Sequence, residues 1–286
     1  MGISWIITEK TTPQSGITLD VIESYYLYLR KKPKKQNNPK KQDVVEYLAD
    51  QTIVSYARHL RAVLYFFMER GYTPYFKIKL PKAEEKVKET YSNEEVALLL
   101  KKPNLKKCRF SAYRNWVIIM FFVSTATRLN TVTNMKICDL NFDEDTILLR
   151  ATKGKRQYTI PMDKRLKIIL VEYLSYRGGE SNDFLFCRED DNQKPLTNSS
   201  VKTMIARYNQ ERGVTKTSAH LMRGFYSKHY LLKGGGLLQL KSILGHKTLT
   251  MVLKYVDMYG DDLKVGYDDC NPLATFGKGE PVKMRR

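Results

Sequence analysis

His220-Leu221-Met222-Arg223, followed by Leu244-Gly245-His246 and then by Tyr255, nine residues past that histidine, is the stretch around which the rest of the chain falls into order. It holds imidazole, guanidinium and phenol groups within one stretch of chain. Toward the N-terminus, Thr125-Ala126-Thr127-Arg128 closes an apolar run that starts near Arg114, and Lys153 sits in Thr152-Lys153-Gly154-Lys155 between two β-favouring runs. Singly, these features are ordinary. An arginine ending a helix is commonly a surface residue, a lysine in a turn is commoner still, and a lone histidine is more often hydrogen-bonded structure than a catalyst. Their order along one chain sets them apart.

Composition narrows the chemistry. The 286 residues suffice for two domains, each with its own core, and an apolar content of 42% suits a folded protein. A net charge of +19 seeks a polyanion, and nucleic acid is the leading candidate. A membrane surface competes, but the longest apolar run, Trp116 to Val123, is far too short to span a bilayer. The opening Met1-Gly2-Ile3-Ser4-Trp5 also lacks the basic, apolar and small-residue succession of a secretory leader, so the expectation is a cytoplasmic, DNA-associated protein. Cys108, Cys138, Cys187 and Cys270 form no CxxC pair, and Gly234-Gly235-Gly236 lacks the Lys-Ser/Thr of a phosphate loop. Neither a metal nor a nucleotide cofactor is expected.

Helical spacing of Ile22, Tyr25, Tyr26 and Leu29 predicts a helix within 19–29, and Ile53, Ala57, Leu60, Leu64 and Phe67 predict a second from Gln51 to Arg70. Between them runs a basic, proline-broken loop containing Lys31, Lys32, Lys34 and Lys35, either a solvated charge run or a phosphate contact. From Lys77 to Glu89 the composition turns to Lys, Glu and Pro81, which reads as a linker, and Ser92-Asn93-Glu94-Glu95 supplies a capping box for a new helix. The domain boundary is therefore placed near residue 88. Beyond it, helices are expected from Arg114 into Val123 and from Lys164 to Tyr176, with Thr146–Leu149 and Tyr158–Ile160 as a hairpin around the cationic turn.

In order and spacing, these residues resemble the catalytic half of the tyrosine recombinase (phage integrase) family, over residues 89 to about 260. That family carries an arginine in a TGxR-like segment, a hairpin lysine before a strand ending in proline, an HxxR segment, and LGH nine residues before a nucleophilic tyrosine. Arg128, Lys153 with Pro161, His220, Arg223, His246 and Tyr255 fill these places in order. Three positions depart from the common pattern: Ala126 replaces the usual glycine, Thr131 stands where many members have an acidic residue, and Gly224 where many have a second histidine. All six catalytic places remain occupied, and the part an acidic group at 131 plays elsewhere is left open.

The residue set has a physical rationale of its own. Attack on a phosphodiester concentrates negative charge on its oxygens, so fixed cations and donors shaped to the pentavalent state lower the barrier. Arg128 and Arg223 suit this because guanidinium makes planar two-point contacts and keeps its charge, and His246 would be a third donor. Loss of one such donor costs on the order of 3 kcal/mol. Tyr255 as nucleophile would store the energy of the broken strand in a phosphate ester. Lys153 is the candidate acid for the departing 5′ oxygen, and His220 is a base or an orienting residue near the phenol. Tyr259, one helical turn past Tyr255, is the rival nucleophile, and the family spacing favours Tyr255.

The resemblance implies a mainly α fold with a small β-hairpin or sheet, arranged as a two-domain clamp on duplex DNA. Residues 1–88 would form the helical core-binding domain with its linker, and 89–286 the mixed α/β catalytic domain with a C-terminal tail. Lys31, Lys32, Lys34, Lys35, Arg58 and Arg61 would contact DNA phosphates. The implied working unit is a homo-tetramer that exchanges strands through a Holliday junction, with the DNA sites and accessory proteins setting direction. The tail Asn271 to Phe276 either docks on a neighbouring protomer or frays. Two other functions share part of the pattern. They are DNA relaxation of the type IB topoisomerase kind and non-catalytic binding by a basic protein.

Overall fold

In the computed structural model of the chain, residues 17–33, 46–83, 89–150, 157–189, 191 and 194–253 are described. The chain divides into two compact units, Met1–Val87 and Lys88–Arg286. Among the described residues, no helix is long and apolar enough to cross a membrane.

The first unit holds α1 (Leu19–Lys31) and α2 (Asp50–Glu69). Each buries one stripe: Ile22 and Leu29 from α1, and Ile53, Val54, Ala57, Leu64 and Met68 from α2. The expected Phe67 is instead 38% exposed and Met68 takes the inward place, because over five turns the apolar stripe drifts around the helix. Ile78 joins Ile22, Leu64 and Met68 in a small core, and its backbone N–H donates to Tyr65 Oη at 3.3 Å. Pro33 and Tyr47 form an antiparallel bridge, which brings together the two ends of the basic loop.

The second unit is helical with one three-stranded antiparallel sheet, in agreement with the expected fold class. It opens with α3 (Asn93–Leu99), where Glu95 N–H donates to Ser92 Oγ and Ser92 N–H to Glu95 Oε2. This reciprocal cap matches the sequence expectation. At the centre lies α4 (Phe110–Thr125), apolar all round, with Trp116, Val117, Ile118, Ile119, Phe121 and Phe122 buried. A helix apolar on every face belongs inside a core, and α6 (Lys164–Arg177), α7 (Asn198–Gln210) and α8 (Ala219–Leu232) surround it. Between α4 and α6 come the short α5 (Leu129–Thr133) and strands β1 (Leu140–Asn141), β2 (Thr146–Leu149) and β3 (Tyr158–Pro161), in the order β1-β2-β3. Ile147 pairs with Leu140 on one side and Ile160 on the other, and these side chains close one flank of the main core. The chain continues through α9 (Leu237–Leu244) and α10 (Thr250–Leu253).

Candidate active site

The site forms where the C-terminal end of α4 meets α8, so the packing of these two helices determines which side chains can converge. The last turn of α4 stops at Ala126, whose φ of 51° is left-handed. Such a residue ends a helix, and glycine adopts the conformation with less strain than alanine. The family's usual glycine at this place thus has a backbone reason, and the methyl of Ala126 is accommodated by packing with Leu240, Leu244 and Val252. Two hydroxyls hold the reversal: Thr125 Oγ1 donates to Phe121 O at 2.7 Å and lies 2.9 Å from Thr127 Oγ1. The chain emerges as Arg128, the half-buried N-cap of α5.

Arg223 reaches this turn from α8. Its Nη1 donates to Ala126 O at 2.6 Å, its Nη2 donates to Leu244 O at 2.6 Å, and Nη2 also lies 2.8 Å from His246 Nε2. One guanidinium, 3% exposed, therefore ties together segments 97 and 21 residues away in sequence. The guanidinium brings a fixed positive charge to the junction of these segments, and fixed positive charge is what draws an anion to a site.

The Leu244-Gly245-His246 turn is shaped by its glycine. Gly245 adopts φ of +61°, and the ring of Tyr158 on β3 occupies the place where its side chain would stand. Leu244 is fully buried, and His246 follows with 8% exposure. Burial, followed by the positive charges of Arg223, Arg128 and His220, pushes the His246 pKa down to about 4. His246 is therefore neutral at physiological pH and able to donate one hydrogen bond without adding charge.

His220 is exposed in the first turn of α8, where its N–H donates to Ser218 Oγ at 3.2 Å. Ser218 is fixed in turn by Tyr91, whose hydroxyl accepts from Ser218 N–H at 3.2 Å and from Asn209 Nδ2 at 2.9 Å. The sequence reading missed Tyr91 and Tyr158 alike; a lone tyrosine beside a linker or at the start of a strand carries no distinguishing spacing. At the family's acidic position, Thr131 is buried with 7% exposure.

Arg128, His220, Arg223 and His246 thus come together. Lys153 and Tyr255 lie outside the described residues, as do Lys34, Lys35 and the tail 271–286. The strands β2 and β3, which precede and follow Lys153 in the sequence, pair in register from Thr146 with Pro161 to Leu149 with Tyr158. Val252 of α10 is buried with Ala126, Leu240 and Leu244, two of which, Ala126 and Leu244, offer their carbonyls to Arg223. In the first unit, Lys31 and Arg58 are exposed, Lys32 stands 5.6 Å over the Tyr28 ring and Arg61 6.0 Å over that of Tyr65. Among the described residues, no three His, Cys, Asp or Glu side chains gather as a metal site.

Comparison with known proteins follows the same lines. The tyrosine recombinase XerA of Pyrococcus furiosus is 24% identical over 271 residues, covering 93% of both chains. The tyrosine recombinase XerC of Oceanobacillus iheyensis is 24% identical, covering 75% of this chain and 72% of its own. Among solved structures, the Tn1549 transposon integrase in complex with transposon right end DNA matches with a TM-score of 0.68 at 16% identity, over 93% of this chain and 90% of that one. The phage integrase family model matches residues 89–260, the whole span from the end of the linker past Tyr255. The chain belongs to the phage integrase family, the tyrosine recombinases, enzymes that break and rejoin DNA strands.

Proposed function

We propose that this protein is a site-specific DNA recombinase that cleaves and rejoins strands through a 3′-phosphotyrosine at Tyr255. One observation carries it: the Arg223 guanidinium joins the Ala126 turn, the Leu244-Gly245-His246 turn and α8 into one cationic site that also holds Arg128. Those three segments are the ones that the family motif selects.

Arg128 and Arg223 hold the non-bridging oxygens of the scissile phosphate, and neutral His246 orients the Arg223 guanidinium by accepting from it at Nε2. The Tyr255 phenol attacks phosphorus and the bond to the 5′ oxygen breaks, with Lys153 supplying the proton that this oxygen takes up. His220 receives or orients the phenolic proton. Rejoining reverses the sequence with an incoming 5′ hydroxyl, so no external energy source is required. The first unit grips the duplex through Lys31, Lys32, Lys34, Lys35, Arg58 and Arg61, and four protomers exchange strands through a Holliday junction. The XerA and XerC names and the DNA complexes among the structural neighbours support recombination of DNA as the overall activity. The protein acts on cytoplasmic DNA.

The test uses nicked duplexes from the DNA flanking the gene, in which loss of a short fragment prevents religation. The wild type should form a denaturation-resistant adduct that Tyr255→Phe abolishes and Tyr259→Phe retains. Site-specific binding without any adduct would mean a non-catalytic DNA-binding protein, and relaxation of supercoils without recombination would mean a topoisomerase.

A further inference from the structure

The strand leaving the hairpin brings one more polar group to the arginine pair. Tyr158 is the first residue of β3, and on the same face two positions on, Ile160 is buried with 2% exposure, which fixes how the strand is seated. A Cβ built on Gly245 would lie 2.5 Å from both Cζ and the hydroxyl oxygen of Tyr158. The hydroxyl end of the ring thus rests on the glycine between Leu244, whose carbonyl Arg223 holds, and His246, whose ring Arg223 contacts. Both arginines act on this phenol: burial pushes its pKa up, and Arg223 and then Arg128 draw it partway back. The hydroxyl stays protonated at neutral pH and forms no hydrogen bond with another described residue. The Tyr158 hydroxyl is not among the atoms sealed from solvent, so it opens onto the site, where an anion bound by the two guanidinium groups supplies an acceptor.

We propose that Tyr158 is a seventh catalytic residue, whose hydroxyl donates a hydrogen bond to a non-bridging oxygen of the phosphate held by Arg128 and Arg223. The proposal rests on the recombinase reading above and adds a substrate contact to it. It gives the glycine of the Leu-Gly-His turn a second purpose, since any side chain at 245 would displace the phenol as well as strain the backbone.

The test compares full-length wild type with Tyr158→Phe, which keeps the ring against Gly245 and removes only the hydroxyl. Adduct formation is timed on nicked duplexes with a normal scissile phosphate and with each methylphosphonate diastereomer, in which a methyl replaces one oxygen. The expected result is unchanged DNA binding, a cleavage rate lower by roughly ten- to a hundredfold, and loss of that penalty on one diastereomer only. A purely packing role would impose the same penalty on all three substrates and would overturn the proposal, as would cleavage at the wild-type rate. An adduct that Tyr255→Phe retains and Tyr158→Phe abolishes would overturn it too, by making Tyr158 the nucleophile. If the wild type forms no adduct on any substrate, the recombinase reading itself fails, and the proposal with it.

Discussion

Arg223 Nη2 stands 2.8 Å from His246 Nε2, and because guanidinium has no lone pair to offer, the imidazole accepts at Nε2 and carries its proton on Nδ1. The pair therefore fixes the imidazole tautomer, with the proton on a nitrogen buried from solvent. Arg223→Lys would keep the charge but lose the fork that reaches Ala126 O, Leu244 O and His246 together. The expected outcome is near-normal DNA binding with adduct formation slowed by about a hundredfold or more. Wild-type cleavage by this variant, timed on nicked substrates, would show that charge alone is sufficient.

The same contact makes a prediction about pH. The folded-state pKa of His246, about 4, lies below the ordinary value of 6.5, so the unfolded chain takes up the proton first. The stability associated with this group is complete above about pH 6.5 and is lost as pH falls toward 4. His246→Gln should flatten the pH dependence of the unfolding free energy in that window. In imidazole nitrogen NMR spectra, the His246 signal should remain that of the neutral Nδ1–H form at pH 5.5; a midpoint near 6.5 would contradict the buried contact.

How much of this could be read beforehand depended on whether a residue announces itself locally. The Ser92–Glu95 cap, α6 and the hairpin strands were legible because their signals lie within a few residues of one another. The predicted helix from Arg114 to Val123 came out as Phe110–Thr125, longer at both ends, since its last residue is a threonine that satisfies its own hydroxyl on Phe121 O. Two-residue β1 is too short to show alternation. At the site, the order of motifs singled out Arg128, His220, Arg223 and His246 as candidates, but nothing in it told that Arg223 bonds the carbonyl of Ala126. Tertiary neighbours such as Tyr158 over Gly245 have no sequence spacing to betray them.

Gly245 carries two separable constraints, and a pair of variants divides them. Gly245→Ala forces a side chain into the Tyr158 ring and into φ of +61°, so a loss of about 2 kcal/mol or more is expected in denaturant unfolding. In a Tyr158→Ala background the ring is gone and only the backbone strain of about 1 kcal/mol should remain. Equal losses in both backgrounds would mean that the ring does not limit position 245.

Ala126 presents the opposite balance. Ala126→Gly relieves left-handed strain of about 1 kcal/mol but removes a fully buried methyl worth about the same, so stability should change by less than about 0.5 kcal/mol. Ala126→Val adds a β-branched side chain at φ of 51° in a site with no exposure, and should lose about 2 kcal/mol or more. Thermal unfolding of the two variants checks the sign. A clearly stabilised Ala126→Gly would show that packing with Leu240, Leu244 and Val252 contributes little.

Tyr91 links the start of the second unit to the helix that carries His220 and Arg223. Its hydroxyl donates to Lys216 O at 3.0 Å and accepts from Asn209 Nδ2 and from the backbone N–H of Ser218, the N-cap of α8. Burial pushes its pKa up to about 12, so it remains a neutral hub at any working pH. Tyr91→Phe keeps the buried ring but takes the acceptor from Ser218 N–H and one of two acceptors from Asn209 Nδ2, which should cost about 1–3 kcal/mol, read as a lower denaturant midpoint at an unchanged slope. Because Ser218 also caps the His220 N–H, loosening it should slow adduct formation more than it weakens DNA binding. If binding and cleavage fell in equal proportion, Tyr91 would be serving the fold as a whole rather than the placement of α8.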